Sequence, residues 1–279
     1  MKFSFLNTSA LALSIFVFTA CNNTNTESMK DAANEVANTA ETPDRTIKLV
    51  DFPASPEFKD AQLAIKDVKT EPQGKDSVKV TINYDVKGYE LTKQTSSDNA
   101  GVCNNSKDGQ HIHFILDNKP YAALYKPTHS FVVPINSKHY VMSFLSRSYH
   151  ESLKNREAGV LLYFAIDDKG TYKVLDNPNT PMVFYSRPKG DYVGKDTKNI
   201  LLDYYIYGGN LSADGFKVKA TINGNTFTLD QWKPMFIQNA PMGGMKVKLE
   251  LLDKDGKIAP GDNSVVERDL QLAEKEPVK

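Results

Sequence analysis

The histidines are the residues whose spacing in this chain most clearly points to chemistry. All five lie between His111 and His150. His111 and His113 stand two positions apart in "GQHIHFILDNKPY", which alternates like a β-strand. Side chains two apart on a strand project to the same side, with Cα atoms roughly 6.5–7 Å apart, so two imidazoles there can share one ion. With His139 at the start of a later strand and His150 soon after it, we predict a copper or zinc site; the alternative is a polar strand face.

The elements that must position these histidines are strands. Apolar residues alternate with polar ones in "SVKVTINYDV", "HIHFIL", "HYVMSFL" and "GVLLYFAID". Turn-forming stretches such as "PQGKD", "DNKP" and "DDKG" separate these segments. This spacing of short strands and turns predicts an all-β protein made of β-sandwiches.

The chain also contains an internal repeat. "KDGQHIHFILDNKPY" aligns with "ADGFKVKATINGNTF", and "YKPTHSFVVPINSKHYVMSFLSR" aligns with "WKPMFIQNAPMGGMKVKLELLDK". "VLDNPNTPM" between the copies has the composition of a linker. We therefore predict two tandem β-sandwich domains, residues 48–176 with the histidines and residues 180–274 without them.

The repeat indicates which side of the strand the histidines occupy. In the alignment, lysines of the second copy stand opposite three of the histidines. The pairs are His111 with Lys217, His113 with Lys219, and His139 with Lys246. Lysines at alternate positions are typical of a solvated strand face, so we predict that these imidazoles lie on the outer face of the first sandwich or against whatever covers it.

The beginning of the chain has the pattern of an export signal. Leu11 to Ala20, "LALSIFVFTA", is an apolar run followed directly by Cys21. This junction resembles the lipobox of bacterial lipoproteins, which implies a signal peptide over residues 1–20 and a lipid on Cys21. Residues 21–47 are polar and predict a flexible tether. We therefore expect the protein to be anchored by lipid to a membrane of the cell envelope or outer membrane.

Composition excludes some functions and leaves others open. Lys and Arg number 34 and balance 34 Asp and Glu, so bulk charge does not favour nucleic acid as a partner. Cys103 is a lone thiol, either a small buried hydrophobe or a soft metal ligand. The sequence has no phosphate loop and no nucleophile elbow, and we predict no enzymatic activity. A metal-dependent hydrolase with Glu151 as its base is a weaker alternative.

The histidine region resembles an uncharacterised domain family of exported bacterial proteins. That family has the pattern Gly-His-x-His-Leu-Leu-Ile-Asp, followed by Pro-Gly-x-His before a strand and by a later His. The matching positions are His111, His113, Asp117, His139 and His150, and the chain departs from the pattern at Gln110 and Ser137. The resemblance implies an immunoglobulin-like β-fold without an agreed activity.

The two-domain arrangement as a whole is similar to outer-membrane lipoproteins of Bacteroidota-type bacteria, some of which are labelled phosphopeptide-binding. The residues offer one way to hold such a ligand. Arg147 and Arg187 each follow the end of a predicted strand, so they could face each other across the domain junction. The alternative to a metal-binding protein is therefore a module that binds an anionic peptide or glycan. The oligomeric state stays open.

Overall fold

The computed structural model describes residues 46–275, and nearly all of their regular structure is β-strand. These residues belong to one compact unit that begins at Asp44. The predicted signal peptide, lipidated Cys21 and most of the predicted tether lie outside the described residues. Within residues 46–275, the helices are too short to cross a membrane.

The first part of the chain contributes nine strands. They are β1 Lys48–Asp51, β2 Gln62–Pro72, β3 Ser77–Lys87, β4 His111–Leu116, β5 Ala122–Leu124, β6 Thr128–Pro134, β7 Ser137–Ser146, β8 Gly159–Ile166 and β9 Tyr172–Val174. A short helix, α1, spans Asn99–Val102, and a 3₁₀ turn spans Arg156–Ala158. A sheet of order β2-β3-β6 packs on a sheet of order β5-β4-β7-β8-β9. These two sheets form the first sandwich.

The second part of the chain contributes eight strands. They are β10 Met182–Arg187, β11 Tyr192–Val193, β12 Ile200–Tyr207, β13 Lys217–Ile222, β14 Asn225–Leu229, β15 Met235–Gln238, β16 Gly243–Leu252 and β17 Val265–Ala273. A 3₁₀ turn spans Gly194–Thr197. Sheets of order β1-β15-β12-β10 and β11-β17-β16-β13-β14 enclose the second core.

The strand order confirms the predicted tandem of sandwiches. The run β2-β3-β6 of the first sandwich recurs as β10-β12-β15 in the second, and β5-β4-β7-β8 recurs as β14-β13-β16-β17. Alternation explains each core, since every second residue of β3, from Val78 to Tyr84, is buried. The repeated sequence therefore describes two copies of one sandwich.

The boundary predicted at residue 48 needs a correction, because β1 belongs to the second sandwich. Lys48 to Asp51 pair antiparallel with Gln238 to Met235 on β15. Ile47 is buried in the second core, and Leu49 packs against it. Without β1, strand β15 would expose its backbone groups at a sheet edge. The described part of the chain therefore begins in the second sandwich and then crosses to the first.

A third hydrophobic cluster joins the two sandwiches. Residues from the outer face of the β4–β7–β8 sheet meet residues of β10 and β12. The buried members are Ile115, Tyr121, Met142, Phe144, Leu161, Met182, Phe184 and Tyr205. We call this cluster the junction core. Because of it, strand β4 is buried on both faces, from His111 through Ile115.

Polar contacts fix the register of the junction. The Asn118 side chain donates to the Val183 carbonyl (2.8 Å) and accepts from the Tyr185 amide (2.9 Å), so it pairs with the free edge of β10. The fully buried Asp203 carboxylate accepts from Lys154 Nζ (2.6 Å) and from the Ser152 hydroxyl (3.0 Å). A buried carboxylate needs such partners, so these contacts favour the observed arrangement of the sandwiches.

Substitution of Phe184 by alanine tests whether the junction core couples the sandwiches. Phe184 is 0% exposed, so its truncation leaves a cavity and should cost about 3–5 kcal/mol of unfolding free energy. Urea unfolding should show one shared transition that moves to lower denaturant. Val132→Ala, at a position 52% exposed on β6, should change stability by less than about 0.5 kcal/mol. Two separate transitions, of which only one moves, would contradict a shared core.

Candidate metal centre

Three of the predicted ligands meet at the junction of the two sandwiches. His111 Nε2 lies 2.9 Å from His113 Nε2 and 3.1 Å from His150 Nδ1. One ring nitrogen from each of the three residues lies within 4.8 Å of the others. We call these residues the histidine triad. Their nitrogens are close enough to bind a single ion.

Strand geometry places the first two members of the triad. Ile112 and Phe114 point into the first core, so His111, His113 and Ile115 occupy the opposite face. This is the face that the alignment with the second copy predicts. It is not solvated, however, because both imidazoles are 0% exposed beneath the second sandwich. The covering elements therefore turn a surface position into an interior one.

His150 reaches the triad from a tight turn after β7. The His150 amide donates to the Arg147 carbonyl (2.9 Å), and the Arg147 amide donates to the Glu151 carbonyl (2.9 Å). His150 has a φ of 68°, a left-handed conformation that costs free energy for a residue with a Cβ. The turn tolerates this cost at the residue whose ring contacts His111. Strained backbone at such a position is typical of functional sites.

Backbone and hydroxyl groups orient the imidazoles of β4. His111 Nδ1 donates to the Gly109 carbonyl (2.8 Å), because a carbonyl can only accept. This tautomer leaves the Nε2 lone pair of His111 free to bind an ion. His113 Nδ1 contacts Ser186 Oγ (3.0 Å), which belongs to β10 of the second sandwich. Fixing the outer nitrogen in this way is typical of metal-binding histidines.

Tyr121 holds the other side of the triad. Its ring stacks on the His113 imidazole, with centroids 3.6 Å apart and planes inclined by 10°. Its hydroxyl lies 3.2 Å from His150 Nδ1. One tyrosine of the first sandwich thus contacts two triad members and limits the rotation of both rings.

Two of the three nitrogen–nitrogen separations are close to those around a small metal ion, and the third lies within 4.8 Å. Metal–nitrogen bonds of about 2.0–2.1 Å in tetrahedral geometry separate the ligand nitrogens by about 3.3–3.4 Å. The contacts of His111 Nε2 with its two neighbours, 2.9 and 3.1 Å, are slightly shorter than this edge. A neutral imidazole has a single lone pair, which His111 Nε2 cannot offer fully to two N–H donors at once. A shared ion would accept all three lone pairs.

Burial keeps the triad unprotonated. It lowers the pKa of His111 to about 4, and it lowers the pKa of His113 and of His150 well below the ordinary value. Arg187 and Lys189 lower all three pKa values further through their positive charge. All three imidazoles are therefore neutral at pH 7, the state that binds metals.

His139 does not join the triad, which corrects its prediction as a ligand. It lies on β7 seven positions before Ser146, the residue paired with His111, and so about 23 Å along the strand. Its ring nitrogens contact Asp117 Oδ2 (2.8 Å) and Ser137 Oγ (2.7 Å).

The reason is a shift of one residue in the sequence alignment. His111 pairs with Ser146, and its counterpart Lys217 pairs with Leu252. The structural counterpart of His139 is therefore Met245, which is buried in the second core, rather than Lys246. A shift of one residue moves a side chain to the opposite face of the strand. His139 accordingly lies on the core face of the first sandwich.

Arg147 is engaged elsewhere and does not form a site with Arg187. It pairs with Glu151 (3.3 Å) and donates to the carbonyls of Pro56 and Ser152. Burial raises the pKa of Glu151, whose carboxylate also accepts a hydrogen bond from Ser55. The arginine and the carboxylate proposed as a hydrolytic base thus satisfy each other. Arg187 instead lies beside Tyr121, with its guanidinium carbon 5.4 Å from the ring centroid.

Gly109, Tyr121 and Ser186 were not predicted as site residues. Gly109 and Tyr121 bound the stretch that holds His111 and His113, and the glycine beside a strand start was a usable signal. Ser186 lies 73 positions from His113, and nothing in its local sequence connects the two. Contacts made by docking of the second sandwich could not be found from strand patterns.

Comparison with known proteins adds little to this description. The chain matches no protein-family model and no curated protein. Among solved structures it is similar to fibronectin(III)-like modules of Clostridium thermocellum CbhA, at 9% identity with a TM-score of 0.27, over 76% of this chain and 98% of that one. A BSP domain of a biofilm associated protein matches at 10% identity with a TM-score of 0.21, over 78% of this chain and about half, 53%, of that one. Neither likeness bears on the histidine triad.

The depressed pKa values predict loss of stability on acidification. In the metal-free folded protein, all three imidazoles have pKa values below the unfolded value near 6.5, and the pKa of His111 is about 4. Between these pH values the unfolded state therefore binds more protons than the folded state. The contribution of the neutral triad to the free energy of unfolding is fully present above pH 6.5 and is lost as the pH falls. The free energy of unfolding should fall by up to about 1.4 kcal/mol per pH unit for each imidazole.

Urea unfolding at pH values from 7.5 to 4.5 measures this slope, and the triple variant with glutamine at the triad should show a flatter profile. Equal slopes in both proteins would contradict the burial argument.

Gly109→Ala should damage the support of His111. Gly109 has a φ of 83°, and an added Cβ would collide with the Thr92 carbonyl. Gly74→Ala is the matched control, since Gly74 has a φ of 72° but open space around it. The control should cost about 1 kcal/mol for the left-handed backbone, and Gly109→Ala about 2 kcal/mol more. Denaturant titration compares them, and equal losses would show that the close approach at Gly109 is unimportant.

Proposed function

We propose that this chain is a lipid-anchored protein of the cell envelope that binds zinc or copper through His111, His113 and His150. The single observation that carries the proposal is the convergence of three buried ring nitrogens. The anchor and the location rest on the lipobox-like sequence ending at Cys21.

The donor set selects the class of metal. Three neutral imidazoles suit zinc and copper, whereas calcium and magnesium prefer carboxylate and carbonyl oxygens. The triad contains no carboxylate, and the nearby charges of Arg187 and Lys189 are positive. The affinity of such a site for a metal ion would come from imidazole coordination rather than from negatively charged ligands.

Metal binding would also stabilise the folded state in which the second sandwich covers the triad. His111 and His113 belong to β4 of the first sandwich, and His113 contacts Ser186 of the second. An ion that binds only the folded state stabilises it in proportion to the logarithm of its concentration over its dissociation constant. We therefore propose metal capture or structural closure, without catalysis, as the role of the site. The pairing of Glu151 with Arg147 supports this over a hydrolase.

Metal titration of residues 46–275 with single variants tests the proposal. Wild type should take up about one equivalent of Zn²⁺ or Cu²⁺ in calorimetry, and His113→Gln and His150→Gln should each weaken binding by at least ~100-fold, because each removes a direct ligand. His139→Gln is the matched control, since this histidine lies on the other face of the sheet, and should bind like wild type.

Copper electron paramagnetic resonance provides a readout that does not depend on affinity. Nitrogen hyperfine coupling from several imidazoles should appear in wild type and decline in the His113 and His150 variants. Near-ultraviolet circular dichroism identifies variants that fail to fold. Undiminished uptake by folded variants, or equal loss in His139→Gln, would refute the triad as the binding site.

A further inference from the structure

The triad offers a metal ion no negative charge. Its three ligands are imidazoles that are neutral at pH 7, and none of the three residues is more than 8% exposed. An ion that binds there loses its water shell and keeps its full charge, because neutral ligands cancel none of it. In the Born description the cost of burying an ion rises with the square of its charge, so it is about four times larger for a divalent ion than for a monovalent ion of equal size.

Two cations lie close to the triad. Arg187 is buried, and its guanidinium carbon lies 5.4 Å from the centre of the Tyr121 ring. The Nζ atom of Lys189 lies 4.3 Å from the same centre. The Tyr121 ring in turn stacks on His113, with centroids 3.6 Å apart. Adding these distances places the two charges at most about 9 and 8 Å from the centre of the His113 ring.

The contacts of these cations do not cancel their charges. Arg187 donates to two neutral hydroxyls, those of Tyr121 and Tyr192, and Lys189 donates to the Tyr121 carbonyl (2.7 Å). In the part of the chain that the structure describes, no carboxylate forms an ion pair with either cation. The negative charge of Asp108 also acts on the triad, but Asp108 is exposed and therefore screened by water. The potential at the triad is accordingly positive.

The space beside the triad is too small for an anion that would offset a divalent ion. The cavity that His150 borders has a volume of about 10 Å³, which is room for about one water molecule. One water molecule could complete the coordination shell of an ion, but it brings no charge of its own. Chloride or the carboxylate of a small ligand needs more room than this.

Resting on the proposed metal site, we infer that its preferred ion is monovalent copper, Cu⁺, rather than Zn²⁺ or Cu²⁺. Copper binds imidazole nitrogen, and the closed shell of Cu⁺ accepts three ligands without a fourth. Compared with a divalent ion, Cu⁺ meets about half the repulsion from Arg187 and Lys189, because that energy is proportional to the charge of the ion. Its desolvation cost is also lower. Buried neutral ligands beside two cations thus select the ion by its charge.

Competition titrations of the wild-type protein compare the two closed-shell ions. Cu⁺, kept reduced by ascorbate in the absence of oxygen, is titrated against bicinchoninate, and Zn²⁺ is titrated against a chromophoric zinc chelator. The dissociation constant for Cu⁺ should be at least ~100-fold smaller than that for Zn²⁺. A smaller difference, or tighter binding of Zn²⁺, overturns the inference but leaves the metal site standing. No binding of either ion refutes the metal site itself.

Voltammetry of the copper-loaded protein compares the two oxidation states of copper. A ~100-fold preference for Cu⁺ over Cu²⁺ raises the reduction potential of bound copper by about 120 mV above that of the free ion, at 59 mV for each factor of ten. A potential at or below that of free copper would mean that Cu²⁺ binds at least as tightly, which contradicts the inference.

Lys189→Gln tests whether charge is the cause of the selection. Lys189 is half-buried, and glutamine at this position can still donate to the Tyr121 carbonyl. Loss of the charge should strengthen Zn²⁺ binding by the square of the factor for Cu⁺, about 9-fold against about 3-fold. Lys173→Gln is the matched control and should change neither affinity, since Lys173 is exposed on β9, three strands from β4 in the same sheet. Equal gains for both ions, or no gain for Zn²⁺, would overturn selection by charge.

Discussion

The packing of strand β10 onto the outer face of β4 and β7 is the constraint on which the rest of the molecule depends. It converts an ordinary solvent-facing side of a sandwich into an interior that holds the junction core and the triad. The same packing lowers the pKa of every triad imidazole and supplies Ser186 to His113. It also buries Arg187, whose Nε has no hydrogen-bond partner among the described residues.

The junction places neutral and charged polar groups side by side. The triad consists of three buried neutral imidazoles, Arg187 is a buried cation, and His150 lies close to both. Buried polar groups of this kind rarely persist without partners, since each costs free energy that hydrophobic packing must offset. The interface therefore contains buried polar groups that a purely hydrophobic domain contact lacks.

Strand alternation was enough to place His111 and His113 on one face, and the repeat correctly gave two copies of one sandwich. His139 failed because the alignment of β7 that best matches residue types is one residue out of register with the structure. In the structural register, Met142 and Phe144 correspond to Lys248 and Glu250, so the first copy is apolar where the second is charged. That difference was a readable sign that the face is covered. What covers it, and which groups it brings to the histidines, depended on contacts between residues far apart in sequence.

The pairing of β1 with β15 has a consequence for how the molecule is made. Lys48 and Gln238 become neighbours although 190 positions separate them, so the second sandwich cannot close until Gln238 has left the ribosome. Contacts of such long range form late and slowly. The β10 edge that covers the triad is then presented by a sandwich that finishes last. Assembly order thus leaves the histidine triad uncovered until β15 has been made.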